Sequence, residues 1–303
     1  MSTFKLYCLV GAIAIPLALF LRLRNGKPDP FVCQTQSKIV VITGGCSGLG
    51  LEIANLYINT NSKVVVLDIL DESAPILSKF VSIKYYKCDV SKKEQVEQAM
   101  GRVDDELGIP DILINCAAIS ISNLPFHQLP ADSFSKTINV NLLGAVHTIR
   151  AVLPNMIRGK ANVSIVNVSS VVAHLYPGGL SDYAASKAGL SALHHCLEAE
   201  ARHYGYEKRI QFFLVEVGQM DTPLFSWIKP PNSFLAPILT PRYVAEKVQD
   251  AISSRRGRVI RLPRYASWVC VYDVLPVWVQ QHVRALMGID DALVRQDLKR
   301  TDT

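Results

Sequence analysis

The chain of 303 residues is 49% hydrophobic and 19% charged, with a formal net charge of +6, which is enough apolar mass for one substantial core and excludes disorder over most of its length. Its seven cysteines are scattered, with no Cys-x-x-Cys pair and no His/Cys cluster at zinc spacing, so a disulfide-stapled module and a metal site are set aside in favour of reduced thiols in a domain facing the cytosol. The basic excess is modest and lies beside apolar segments and in Arg255-Arg256-Gly257-Arg258; it fits a membrane surface or a solvated basic face better than nucleic acid.

Residues 6–21 carry no charge, with Lys5 before them and Arg22, Arg24 and Lys27 after. As a helix they cover roughly 24 Å against a hydrocarbon core of ~30 Å, a marginal span that Pro16 can kink into a hairpin. No small-x-small cleavage site follows, which favours a retained anchor (residues 1–24) over a signal peptide. The heavier basic flank lies after the segment, which predicts a globular part left in the cytosol. Residues 25–37, with Gly26, Pro28 and Pro30, read as a linker.

Residues 38–43 form a short β-branched run, the pattern of a buried parallel strand. The run leads into Thr43-Gly44-Gly45-Cys46-Ser47-Gly48-Leu49-Gly50 and then an apolar helical stretch. Strand, glycine-rich turn and helix start make an anion site, because glycines let a phosphate approach the backbone and the helix N–H groups point at it. The next strand, 63–68, ends in Asp68, where a carboxylate binds adenosine ribose hydroxyls and repels a 2′-phosphate, favouring NAD over NADP. A strand at 83–87 leading to Cys88-Asp89-Val90, a polar helix over 91–106 and a strand at 111–115 continue the alternation and predict a parallel sheet with helices on both faces.

Farther along, Tyr183 and Lys187 lie one helical turn apart on one face. A phenol titrates near ~10, too high for proton exchange at neutral pH, unless a cation favours the phenolate. At ~4 Å and an effective dielectric of ~20, two unit charges interact by roughly 4 kcal/mol, which corresponds to about 3 pKa units at most. Lys187 is expected to bring Tyr183 toward neutrality.

Together, Thr-Gly-x-x-x-Gly-x-Gly at Thr43 to Gly50, Asp68, Asp89, Asn115 and Tyr183-x-x-x-Lys187 resemble the short-chain dehydrogenase/reductase family over residues 38–262. The resemblance implies an α/β fold, one Rossmann-type doubly wound parallel domain, and a nicotinamide cofactor, NAD with NADP possible. It implies contacts to that cofactor from Gly44, Cys46, Ser47, Gly48, Leu49, Gly50, Asp68, Asp89, Val90, Asn115, Ala117, Tyr183, Lys187, Val217, Gly218 and Thr222, and a catalytic tetrad of Asn141, Ser170, Tyr183 and Lys187. Asn141 is preferred to Asn139 because the family's asparagine precedes a small helix residue, here Gly144, and Ser170 to Ser169 because the second serine of the strand lies nearer the substrate carbonyl. The chain departs from the family at Asn115-Cys116-Ala117-Ala118, where Ala118 adds a methyl close to the cofactor, and at Val217-Gly218, which replaces Pro-Gly.

A substrate lid is expected over residues 223–240, apolar and aromatic, implying a lipophilic substrate. The apolar C-terminal extension, 263–303, resembles that of the membrane-anchored retinol and 17-beta-hydroxysteroid dehydrogenase branch; Trp268, Tyr272 and Trp278 are residues of a membrane interface, and a subunit contact in a homodimer uses the same side chains. The implied activity is interconversion of an alcohol and a carbonyl on a retinoid, steroid or other lipid, at the endoplasmic reticulum or a lipid-droplet surface. A reductase of a glycerolipid or fatty-acyl ketone and a catalytically quiet nucleotide-binding scaffold are the rivals. The formal glycosylation acceptors Asn162 and Asn167 lie in or against a predicted core strand, which argues against their use.

Overall fold

A computed structural model of the chain describes residues 37–290, apart from 72, 80, 122, 226–235 and 257. The expected anchor, almost all of the linker, most of the expected lid and the last residues of the C-terminal extension lie outside this set. Among the described residues no helix is long and apolar enough to cross a membrane.

Seven strands build one parallel sheet: β1 (Ile39–Thr43), β2 (Lys63–Asp68), β3 (Ile83–Lys87), β4 (Ile112–Asn115), β5 (Val163–Ser170), β6 (Ile210–Val217) and β7 (Val259–Leu262). Their spatial order is β3-β2-β1-β4-β5-β6-β7. The helices that connect them are α1 (Gly48–Ile58), α2 (Lys93–Glu106), α3 (Ala131–Ile138), α4 (Gly144–Arg158), α5 (Val172–Leu175), α6 (Ser181–His203) and α7 (Pro241–Ser254). Beyond β7 come two more, α8 (Val269–Tyr272) and α9 (Val277–Met287).

The sheet is covered on both faces, which is why its strands read as continuous apolar runs rather than as alternating ones. Val40 and Ile42 of β1 join a core with Leu49 and Ile53 of α1 and Val244 and Val248 of α7. Val41, one residue out of phase, joins Val96 and Met100 of α2 and Ile149 and Val152 of α4 on the opposite face. Phe213 and Phe212 divide between the same two cores and are almost wholly buried.

Strand β1 pairs with β2 on one side and with β4 on the other, in register at Thr43↔Leu67 and Thr43↔Asn115. The winding therefore reverses at the C-terminal end of β1, and a crevice opens there, where doubly wound folds bind ligands. Thr43 braces its rim: its Oγ1 accepts hydrogen bonds from the backbone N–H groups of Cys116 and Ala117, both at 3.1 Å.

Candidate active site

The crevice holds a cleft of about 720 Å³ lined by the glycine-rich turn, the ends of β2 to β5, and residues of α3, α6 and the segment after β6. Gly44 has φ +66, and a Cβ built on it would stand 2.7 Å from Ala117 Cα, so only glycine keeps the two loops in contact. A Cβ on Gly50 would meet Gly44 O at 2.2 Å. The N-cap Ser47 makes no side-chain capping bond, and no acidic residue occupies the first turn of α1. The first N–H groups of that helix thus lack a side-chain cap, the arrangement that receives a phosphate. This cradle fits the diphosphate of a nicotinamide cofactor.

At the far end of the cleft Asp68 accepts hydrogen bonds from Cys46 N (3.0 Å) and Ile69 N (2.8 Å). Asp89 also lines the cleft and caps its own turn through Ser91 N and Ser91 Oγ. The lining contributed after β2 and β3 holds these two carboxylates and no lysine or arginine; the lysines of the cleft, Lys136 and Lys187, come from α3 and α6.

Most of the expected cofactor contacts line this cleft: Gly44, Ser47, Gly48, Leu49, Gly50, Asp68, Asp89, Val90, Ala117, Tyr183, Lys187, Val217, Gly218 and Thr222. Two do not. Cys46 is buried in the core on the α1 face, and burial together with the Asp68 carboxylate pushes its thiol up to about 12. Asn115 spends its amide internally, donating to Asn167 Oδ1 (2.9 Å) and accepting from Thr148 Oγ1 (2.6 Å), so its side chain ties β4 to β5 and α4. Ala118, the departure in sequence, does line the cleft.

The four expected catalytic residues converge from three elements. Tyr183 and Lys187 project from α6 and are nearly fully buried. Lys187 Nζ donates to Val168 O at 2.8 Å and lies 5.5 Å from the Tyr183 ring centroid. Ser170, at the end of β5, has its Oγ 3.1 Å from Val217 O, to which it donates, and accepts weakly from Val172 N. Both serines line the cleft, but Ser169 is bonded to Lys187 O and Ser191 Oγ, and of the two only Ser170 also lines a second cavity. Asn141 sits in a π-type turn, Asn139–Leu143, between α3 and α4. That wider turn is a frequent mark of function. Asn141 is buried and bonds to both backbone groups of Ile119 and to Ser186 Oγ, whereas Asn139 is exposed.

The electrostatics depart from the simple charge-pair expectation. Burial pushes the Tyr183 phenol above its ordinary range, with the Cys116 thiol adding to the rise. Burial also lowers Lys187 to about 8. Desolvation of the phenolate outweighs an ammonium that is turned toward Val168 rather than toward the phenol. In this cleft burial thus favours the acid form of Tyr183, against the direction expected from Lys187 alone.

A second cavity, about 340 Å³, adjoins the cleft. Both are lined by Ser170, Gly218 and Phe225, and Phe225 packs edge-on against Tyr183 with centroids 5.1 Å apart. Its other walls are Val172 and Leu175 of α5 and, from the C-terminal lobe, Tyr265, Trp268, Val269, Tyr272, Val283 and Met287. Sequence reasoning missed this wall. It placed Tyr272 at a membrane interface, but the side chain is buried in the cavity. The signal was the i, i+4 spacing of Val283 and Met287, which puts both on one side of α9. Arg284 fastens the same helix, donating to Leu175 O (2.7 Å) and Tyr176 O (3.0 Å) and pairing with Asp290. Asp290 in turn accepts from Gly178 N at 2.9 Å.

Away from the cleft, α6 brings His194, His195 and Glu198 together, with ligand-type atoms within 4.8 Å of one another. Arg258 lies 3.6 Å from Glu198 and supplies a countercharge there.

Residues 38–232 match the family model for short chain dehydrogenases. The chain belongs to that family. It is 28% identical over 262 residues to the uncharacterized oxidoreductase YDL114W of Saccharomyces cerevisiae, covering 84% of this chain and 83% of that protein. It is 30% identical over 280 residues to the uncharacterized oxidoreductase Mb1570 of Mycobacterium bovis, covering 88% and 80%. The crystal structure of gox2181 superposes with a TM-score of 0.67 at 23% identity, covering 76% of this chain and 95% of that one. The ligand-free aldohexose dehydrogenase of Thermoplasma acidophilum gives 0.63 at 24%, covering 74% and 91%. At these identities the two structures establish the fold. Family membership makes the protein an oxidoreductase dependent on a nicotinamide cofactor.

Proposed function

We propose that the protein interconverts an alcohol and a carbonyl on a lipophilic molecule, using NAD(H). The observation that carries this reading is the apolar cavity of about 340 Å³ that meets the cofactor-type cleft at Ser170, Gly218 and Phe225, beside Tyr183. Its volume falls within the ~300–1,000 Å³ of small-molecule sites. Its walls are aliphatic and aromatic, with few polar groups, so a substrate gains by leaving water along most of its length and is oriented at one polar end.

A bound nicotinamide supplies the hydride chemistry. The chain's own residues supply the rest. Ser170, which lines both cavities, would turn its hydroxyl from Val217 O to donate to the substrate oxygen and stabilise the charge that develops on it. Tyr183 gives its proton to that oxygen in the reductive direction and takes it back in the oxidative one. Lys187, two-faced between Val168 O and the cleft, offers N–H donors to a ribose hydroxyl, and its charge favours the phenolate after proton transfer. Asn141 fixes the Ile119 backbone and donates to the Ser186 hydroxyl, which itself donates to Tyr183 O and so ties this turn to the start of α6. Asp68 and Asp89, the charged residues that the segments after β2 and β3 contribute to the lining, favour ribose hydroxyls over a 2′-phosphate and support NAD(H) as the cofactor.

The same reading covers location. Residues 6–21 are an apolar segment of marginal spanning length, and the outer side of the C-terminal lobe exposes Trp268, Val274, Val277, Trp278 and Leu286. Between residues 267 and 286 the only formally charged exposed side chain is Asp273. We take both as contacts with a membrane or lipid-droplet surface of the cytosolic side, since one weak apolar anchor alone binds reversibly.

The test is a panel of retinoids, steroids and long-chain secondary alcohols or ketones offered to the full chain with NAD+ or NADH, followed by cofactor absorbance. Turnover of at least one apolar compound is expected, with polyols and sugars inert. Turnover confined to hydrophilic substrates contradicts the reading of the cavity. Carbonate extraction of membranes checks the location, where release of the full chain into the soluble fraction contradicts it.

A further inference from the structure

His174 lies outside the catalytic set, yet its ring stands between two carboxylates. Its Nε2 is 2.8 Å from Glu216 Oε1, and its Nδ1 is 3.1 Å from Asp273 Oδ2. A neutral imidazole has one N–H and one lone pair, so it can donate to only one of these oxygens and would set its lone pair against the other. Only the imidazolium donates at both ends. Glu216, on β6, is wholly buried, and its second oxygen accepts from Arg261 Nε of β7 at 2.6 Å. The charges alternate from the sheet outward: Arg261, Glu216, His174, Asp273. Each inner charge is paired on both sides, which is what makes burial of Glu216 tolerable.

The position of this chain matters as much as its chemistry. His174 precedes Leu175, and Asp273 follows Tyr272; both neighbours line the apolar cavity, from α5 and from the C-terminal lobe respectively. We infer that His174 is a positioning residue whose imidazolium latches the C-terminal wall of that cavity to the catalytic sheet, and that loss of the imidazolium frees the wall to open. The inference rests on reading the cavity as the substrate site. The two ends of the latch differ: Glu216 has Arg261 in any case, whereas the Asp273 side chain is about a third exposed (34%) and returns to water easily. Opening therefore begins at Asp273. The Arg284 bonds to Leu175 O, Tyr176 O and Asp290 do not titrate in the same range and serve as the hinge.

The groups facing His174 are Glu216 from β6, with Arg261 of β7 behind it, and Asp273 from the C-terminal lobe, with Tyr176 and Tyr272 beside that carboxylate. The Glu216 hydrogen bond, opposed by burial and aided by Asp273, holds the His174 pKa above its ordinary value. A histidine whose folded pKa is raised contributes stability that is complete below the unfolded value of ~6.5 and is lost as pH rises through the folded one. The latch is closed in mild acid and opens toward the alkaline side.

The test uses the full chain and two readouts, neither of which needs turnover. In hydrogen–deuterium exchange, peptides from residues 264–290 should lose about 10-fold in protection between about pH 6 and pH 9, after correction for the intrinsic rate, while those from α2 do not. In parallel, the Kd of Nile red for the cavity should weaken several-fold over the same range, with Leu175→Trp, which fills the cavity, abolishing binding and so fixing the dye's site. Asp273→Asn keeps the shape and removes the outer carboxylate; it should show weak protection and weak binding that no longer change with pH. His174→Gln should match it. Protection in the wild type that is flat with pH, or a pH dependence that survives Asp273→Asn, overturns the latch. Exchange that responds while Nile red affinity does not overturns its role at the cavity. If both respond as expected while no lipophilic alcohol is oxidised, the latch stands and the proposed reaction falls.

Discussion

The cofactor cleft and the apolar cavity share Ser170, Gly218 and Phe225, but the chain builds them by different means. The cleft is made largely of main chain. Gly44 at φ +66, the uncapped start of α1 and the reversal of strand order at β1 place backbone groups where an anion fits. The cavity is made of side chains that come from α5 and from a lobe about a hundred residues later in the chain, held by Arg284, Asp290 and His174. A backbone site tolerates little substitution and is shared by many chains of one fold. A side-chain site is free to change with the substrate.

The variants that break the comparison follow from that difference. The largest effect is expected at the junction. Tyr183→Phe deletes the proton-transfer group and almost no volume, so turnover should fall by about 10²–10⁴-fold with NADH affinity nearly intact; equal losses in both would place Tyr183 in binding rather than in proton transfer. In the cleft, Gly50→Ala forces a Cβ to within 2.2 Å of Gly44 O. It should destabilise the fold by roughly 1–3 kcal/mol and abolish cofactor binding, as judged by thermal unfolding with and without NADH. An unchanged NADH shift in melting temperature would mean that the turn does not form the cradle.

Cofactor choice is a smaller effect. Asp68→Ser removes a carboxylate from a lining without lysine or arginine after β2 and β3 and should move the NADH/NADPH affinity ratio about 10-fold toward NADPH, or about 1.4 kcal/mol. Wild-type protein that binds NADPH more tightly than NADH would show that Asp68 faces away from the ribose. In the cavity, Met287→Ala should raise KM for an apolar alcohol a few-fold while leaving kcat and NADH affinity alone, since it removes uniform binding at a distance from the reacting carbon. A kcat effect larger than the KM effect would put α9 at the chemistry instead.

The pH dependence separates the regions once more. Lys187, lowered by burial to about 8, binds its proton less well folded than unfolded. Stability of the cofactor-free protein should therefore rise with pH between about 8 and the ordinary lysine value of ~10.4, and Lys187→Met should remove the rise, as read by urea unfolding across that range. The His174 contribution runs the other way, falling as pH increases.

How much was legible follows the same division. Strands β1 and β2 and the cradle of α1 were read from residues because glycine placement and β-branched runs are local constraints. Ser170 was chosen over Ser169 by resemblance; both line the cleft, and the contact that sets Ser170 apart, with the second cavity, depends on residues far along the chain. Cys46 and Asn115 were assigned to the cofactor by motif; spacing places their backbones beside the cleft but does not say which way a thiol or an amide turns. Tyr183 was expected to be activated by Lys187; the opposing effect of burial was not legible, because desolvation depends on how much of the core closes over a side chain. The wall from Tyr265 to Met287 was read only as an apolar extension. The spacing of Val283 and Met287 is helical, but what the wall packs against, α5 after β5, is a contact across nearly the whole second half of the chain.

The account depends on cleft and cavity delivering two molecules to one point. The direct measurement is transfer of deuterium from a long-chain secondary alcohol labelled at its carbinol carbon, incubated with the full chain and NAD+, with the reduced cofactor analysed by mass spectrometry. The account predicts that the reduced cofactor carries the label in full, with none appearing in water. Reduced cofactor without label, or label released to solvent, would mean that the carbinol carbon and the nicotinamide do not meet at Ser170 and Tyr183.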